Sequence, residues 1–177
     1  IPFPNKKYNI IYADPAWHYQ TWGEGGKRNV TSKYKTMTMK EIWNLPVNKI
    51  ADENCILFLW VTYPKLIDCI KTIEKWGFEY KTCAFSWIKK NKKSDSLFWG
   101  LGYWTRANNE ICLLATKGKP KRVSMRVHQV IHEPIREHSR KPDTTRSRIV
   151  ELCGDLPRIE LFARQKFEGW DCWGNEV

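Results

Sequence analysis

Asp14, Pro15 and Trp17 stand at the end of an apolar run and bring three complementary groups together. Asp14 has a carboxylate acceptor, Pro15 a carbonyl on a residue with no N–H, and Trp17 a flat stacking face. An exocyclic aromatic amine that is to attack an electrophile needs all three, because its lone pair is delocalised into the ring. Two acceptors, one on each N–H, draw the nitrogen towards tetrahedral geometry, while stacking holds the ring. The same residues also read as a strand-to-turn junction, where Asp-Pro is common. The motif alone is therefore weak, and its weight depends on what positions it.

The run before it, Tyr8 to Asp14, reads as a strand stopped by Pro15. Thr38 to Leu45 is expected to be a short helix, with Thr38 as N-cap, Glu41 three residues later and a stop before Pro46. The continuous apolar stretch Cys55 to Val61 has the pattern of a strand covered on both faces. Apolar residues at 66, 67, 70, 73 and 76 make a helical stripe over Pro64 to Trp76, closed by Gly77. Tyr80 to Ile88, Glu110 to Thr116 and Val127 to Ile131 read as further strands. Asp143 to Cys153 reads as a helix ending at Gly154, and Arg158 to Ala163 as a final buried strand. Short buried strands alternating with helices predict an α/β fold, a mostly parallel sheet with helices on both faces, in one domain over residues 1–177. Ligands in such sheets lie at the carboxyl ends of the strands, which is where Asp14 falls.

The chain has 177 residues, 42% apolar and 28% charged, an ordinary globular balance that excludes a disordered class. No stretch has the roughly 20 apolar residues that span a bilayer, and a soluble protein without a membrane partner is expected. Thirty basic and nineteen acidic residues leave a net charge of +11. The excess is local: Lys27 to Lys40 and Lys81 to Lys93 each hold five cations and no acid, and Lys117 to Arg148 holds ten against three. Alternating with ten Trp, seven Tyr and seven Phe, these runs favour a nucleic-acid partner. Six dispersed cysteines, most of them in apolar runs, read as buried free thiols of a reducing cytoplasm. His18, His128, His132 and His138 have no ligand spacing, so no metal is expected.

Asp14-Pro-Ala-Trp17 resembles the Asp-Pro-Pro-Trp motif of the adenine-N6 methyltransferases related to the eukaryotic mRNA adenosine methyltransferase, a family with many bacterial and phage DNA-modifying members. Other segments match in order: Tyr34-Lys-Thr-Met37, Phe58-Leu-Trp-Val61, Trp76-Gly77, Trp87-Ile-Lys89, and Gly100-Leu-Gly-Tyr103-Trp-Thr-Arg106 with Glu110. Lys117-Gly-Lys-Pro120, Ser139-Arg-Lys-Pro-Asp143, Glu160-Leu-Phe-Ala-Arg164, Gly169-Trp170 and Gly174-Asn175 complete the pattern. The likeness runs from Tyr8 to Glu176.

The resemblance implies a Rossmann-like methyltransferase domain that uses S-adenosylmethionine, with the catalytic motif ahead of the cofactor-binding strand. Asp14 and the Pro15 carbonyl would accept from the target amine and Trp17 would stack on the adenine. Asp14, Ser139, Lys141, Glu160, Arg164, Asn175 and Glu176 would hold the cofactor, with Lys141 on its carboxylate. Trp17, Tyr34, Met37, Lys89, Tyr103 and Arg106 would face the substrate. Ala16 replaces the second Pro but spares both acceptors, and Ala163 stands where relatives often have Gly. Gly23 to Lys27 is expected to close over the site as a loop. The expected reaction is methyl transfer to the N6 amine of adenine in DNA, in a bacterial or phage-infected cytoplasm. The same chemistry on RNA, and a non-catalytic nucleic-acid-binding subunit of a pair, are the alternatives. A homodimer or paired subunit is the expected assembly.

Overall fold

A computed structural model of the chain describes residues 2–17, 37–137 and 140–177. One seven-stranded sheet organises them: β1 (Tyr8–Ala13), β2 (Ala51–Val61), β3 (Glu79–Lys90), β4 (Asn109–Lys117), β5 (Val130–Pro134), β6 (Arg158–Leu161) and β7 (Asp171–Trp173). Their spatial order is β5-β3-β4-β2-β1-β6-β7. β1 pairs in parallel with both β2 and β6, β6 with β7, and β3 with β5. Only β4 runs against its neighbours, β2 and β3. The chain enters it from β3 without an intervening helix, and an antiparallel return needs no crossover.

The central strands are buried on both faces, as their unbroken apolar sequence requires. Ile11, Leu57, Leu59 and Val61 face one core, against Ile42 of α1 (Met39–Trp43), Val47 and Ile50 of α2 (Val47–Ile50), and Cys69 and Ile73 of α3 (Leu66–Lys75). Ile10, Tyr12, Ile56, Phe58 and Trp60 alternate to the opposite core, closed by Ile149 and Cys153 of α4 (Thr144–Cys153). Helices on both faces follow from this double burial, as the sequence predicts. Thr38 and Glu41 cap α1 reciprocally: Glu41 N–H donates to Thr38 Oγ1 at 3.2 Å, and Thr38 N–H to Glu41 Oε2 at 2.7 Å. Trp76 at the end of α3 donates its indole N–H to the Ile42 carbonyl at 2.9 Å, tying α3 to α1.

Three elements differ from expectation. β6 is not the last strand; β7 follows on the sheet edge, held by Trp173 against Phe3 and Phe162 with ring centroids 5.0 and 5.7 Å apart. Three residues are too few for an alternation to register. β5 begins at Val130 rather than Val127, because only Ile131 turns into the core while Val130 is half-exposed on an edge strand. α2 is a single turn after Pro46, below the length at which helical spacing is legible. No helix among the described residues is long and apolar enough to cross a membrane.

Candidate active site

Because β1, β2, β3, β5, β6 and β7 point one way and β4 the other, the carboxyl ends of the former and the start of β4 share an edge. A cleft of about 400 Å³ opens there, lined by Tyr12, Asp14, Lys141, Arg146, Glu160 and Phe162, and by Glu137, Arg140, Arg164, Gln165 and Glu176 around its rim. That volume falls within the range of small-molecule pockets. Asp14 follows β1 directly, and its carboxylate Oδ2 lies 3.0 Å from Lys141 Nζ. The same ammonium lies 3.2 Å from Glu110 Oε2, at the head of β4.

Burial raises the Asp14 pKa above its ordinary value; Lys141 opposes the shift and Glu110 adds to it. Burial also works against the Lys141 ammonium, but the two carboxylates more than offset it and hold its pKa above the usual lysine range. Lys141 therefore belongs with Asp14 and Glu110 in one charge cluster.

The motif's other members are anchored in the backbone. The Pro15 carbonyl accepts the Trp17 N–H at 2.9 Å in a tight turn, which leaves it one lone pair. Trp17 is buried, and its indole N–H donates to the Trp60 carbonyl at 2.9 Å. The Trp60 indole donates in turn to Tyr12 Oη at 2.7 Å. The turn after β1 is thus bolted to β2 from both sides of the sheet.

Glu160, on β6, has both carboxylate oxygens taken by Arg146 of α4, through Nε and Nη2, each at 2.7 Å. Arg146 also lies over the Phe167 ring, 3.5 Å from its centroid. Burial pushes the Glu160 carboxyl upward and Arg146 only partly relieves it. Arg164 is exposed on the cleft rim, where its charge reaches Asp14. Glu176 lines the cleft, while its neighbour Asn175 is exposed and outside the lining.

Of the residues expected to face substrate, Met37 packs partly buried against the core. Lys89 lies 3.8 Å from Glu110 Oε1 and 5.1 Å from the Trp87 ring centroid. Tyr103 and Arg106 belong to the β3–β4 connection, residues 91–108, where Trp99, Leu101, Tyr103 and Trp104 are exposed. Arg106 braces that loop, donating to the Gly100 carbonyl at 2.7 Å and the Trp99 carbonyl at 3.1 Å. Tyr34, Ser139, His18, His138 and the Gly23–Lys27 segment lie outside the described residues.

Sequence reasoning missed Arg146, and it quoted Glu110 without giving it a role. A signal existed for both partners of these pairs. Glu160 interrupts the apolar β6, and Glu110 heads the apolar β4, and a carboxylate entering a core requires a cation.

A sheet with a single reversed strand, and a two-signed cleft at its carboxyl edge beside Asp-Pro-Ala-Trp, fit an α/β Rossmann-like fold. The MT-A70 family profile matches residues 8–176, and the chain belongs to that family. It is 38% identical to the type II methyltransferase M.MunI of Mycoplasma sp, across 98% of this chain and 79% of that one. It is 28% identical to the human N(6)-adenosine-methyltransferase catalytic subunit METTL3, and 28% to the Arabidopsis thaliana N(6)-adenosine-methyltransferase MT-A70-like protein. Those alignments cover 97% and 96% of this chain but only 28% and 24% of the eukaryotic proteins.

Methyltransferases of this family use S-adenosylmethionine. The cleft's donor set fits that molecule: carboxylates for its ammonium and ribose diol, cations for its carboxylate, and Phe162 for an aromatic face.

Proposed function

We propose that this chain transfers a methyl group from S-adenosylmethionine to the N6 amine of adenine in DNA. The observation that carries the reading is the Asp14 carboxylate, fixed by Lys141 at the mouth of the cleft and one residue from the Pro15 carbonyl. These two acceptors can each take one N–H of an exocyclic amine and localise its lone pair. When bound, S-adenosylmethionine supplies an electrophilic methyl group.

Asp14 acts by orientation and charge rather than as a base in the strict sense. Once the methyl group is transferred, the amine is cationic and acidic, and it gives its proton to Asp14 or to water. Pro15 and Trp17 are buried, while the Asp14 side chain is 26% exposed and faces the cleft. An adenine in duplex DNA reaches Asp14 only when flipped out of the stack. The exposed aromatics of residues 91–108, with Lys90, Lys92 and Lys93 at the loop's root, offer stacking faces beside backbone-neutralising charge.

The mycoplasma type II methyltransferase favours DNA over RNA in this reading. The eukaryotic N(6)-adenosine-methyltransferases favour the amine position, and keep RNA as the second reading. Competition between DNA and RNA oligonucleotides of matched sequence for labelled methyl groups tests the choice. Label on adenine-containing DNA supports the proposal, and label confined to RNA replaces it with the second reading.

A further inference from the structure

Glu110 has no place in the amine chemistry just described, yet it is buried between two lysines, one of them the cleft-lining Lys141. Its Oε2 faces Lys141 Nζ at 3.2 Å and its Oε1 faces Lys89 Nζ at 3.8 Å, while Lys141 reaches Asp14 at 3.0 Å. Charges thus alternate along Asp14, Lys141, Glu110 and Lys89. The two ammonium groups sit over neighbouring indoles: Lys141 is 5.7 Å from the Trp60 ring centroid and Lys89 is 5.1 Å from that of Trp87. Those rings meet edge to face at 6.4 Å, and Trp87 stands opposite Glu110 in the β3–β4 register. The sheet therefore fixes the spacing of the whole chain.

Stability does not explain this arrangement. Taking several charges out of water costs about as much as their pairing returns, and apolar residues of similar volume would serve the core as well. Position explains it better. An ammonium with a single partner would centre on Asp14 and occupy the lone pairs that an incoming amine needs. Glu110 pulls on the same ammonium at nearly the same distance, so Lys141 stays between the two carboxylates.

We infer that Glu110 is a positioning residue: it holds Lys141 off the reacting side of Asp14 and so keeps that carboxylate available to the substrate amine. The inference rests on the proposed amine methylation. It makes the chemistry depend on a strand, β4, that contributes no group to the motif itself. Lys89, at the root of the 91–108 loop, is the outer member of the chain and links the loop to Asp14 through Glu110.

The groups facing Asp14 are Lys141 ahead of α4, Glu110 and Cys112 on β4, Lys89 on β3, Glu160 on β6 and Arg164 beyond it. Among these, Glu110 holds the proton affinity of Asp14 up, so its neutralisation lowers the pH at which Asp14 ionises.

The test compares the wild-type protein with Glu110→Gln and Glu110→Asp, using an adenine-containing DNA duplex and S-adenosylmethionine. It reads kcat, its pH profile, and cofactor affinity by equilibrium binding. In Glu110→Gln, kcat should fall on the order of 10- to 100-fold, as displacement of a reacting group by an ångström does. Cofactor affinity should hold and the acid limb should move to lower pH. Glu110→Asp should recover part of kcat with the limb in its wild-type position. If Glu110→Gln does not fold, Glu110→Asp decides alone, by the same reduced kcat and unmoved limb. Wild-type kcat in the variant that folds, or a loss lying wholly in cofactor affinity, overturns the inference. A wild-type protein that leaves adenine unmethylated overturns the proposed function, and this inference with it.

Discussion

Trp17 is tied to the central strand by its indole, whose N–H donates to the Trp60 carbonyl at 2.9 Å with the ring almost fully buried. The fourth residue of Asp-Pro-Ala-Trp therefore fixes the turn that presents Asp14. Trp17→Phe keeps an aromatic ring but leaves the Trp60 carbonyl without its donor. An unsatisfied buried acceptor costs about 1–3 kcal/mol. Denaturant unfolding should show that loss, and methyl transfer should fall as the turn loosens. An unchanged midpoint would mean that the bond anchors nothing.

Lys141 works against burial at Asp14. Burial holds the Asp14 pKa above its ordinary value of 3.8, and Lys141 pulls it back down. Activity that needs the carboxylate should therefore be lost as pH falls through that raised pKa. Lys141→Met removes the opposing cation and should move the acid limb of kcat/KM upward, opposite in sign to the shift expected of Glu110→Gln. A limb that stays in place would separate Lys141 from Asp14 ionisation.

The Arg146–Glu160 pair joins α4 to β6 in the wall of the cleft, with side chains only 13% and 10% exposed. Removing one partner strands a buried charge, which costs about 3–5 kcal/mol. Arg146→Met should lower Tm by on the order of 10 °C in a protein of this size. Arg146→Met combined with Glu160→Leu should regain much of the loss. Equal destabilisation by the single and double variants would argue against a stranded charge.

The basic root of the 91–108 loop should govern nucleic-acid affinity through the phosphate backbone. Lys92 and Lys93 are exposed and Lys90 contacts Asp95, while Lys89 turns inward to Glu110. Reversing Lys90, Lys92 and Lys93 to Glu should weaken DNA binding and flatten its dependence on salt. Affinity and slope equal to the wild type would place the DNA elsewhere.

Much of the fold can be read in residue order, because β1, β2 and β4 are apolar enough to require cover on both faces and α3 shows its stripe openly. Thr38 and Glu41 announce the α1 cap at its correct position. The reversed direction of β4 is not legible, since a strand buried on both faces looks alike in either direction. The β7 strand is too short to show a period. Within the site, the place of Asp14 at a strand end follows from Pro15 stopping β1. The partners of Asp14 do not, because Glu110 and Lys141 meet it only through the sheet order that sets β4 and β1 on either side of β2.

Digestion to nucleosides of an adenine-containing DNA duplex, treated with the protein and S-adenosylmethionine, tests the central claim most directly. Mass and retention identify which atom carries the methyl group. The account predicts N6-methyladenine with the wild-type protein and none with Asp14→Ala. A methyl group on cytosine, or N6-methyladenine undiminished in Asp14→Ala, would contradict it.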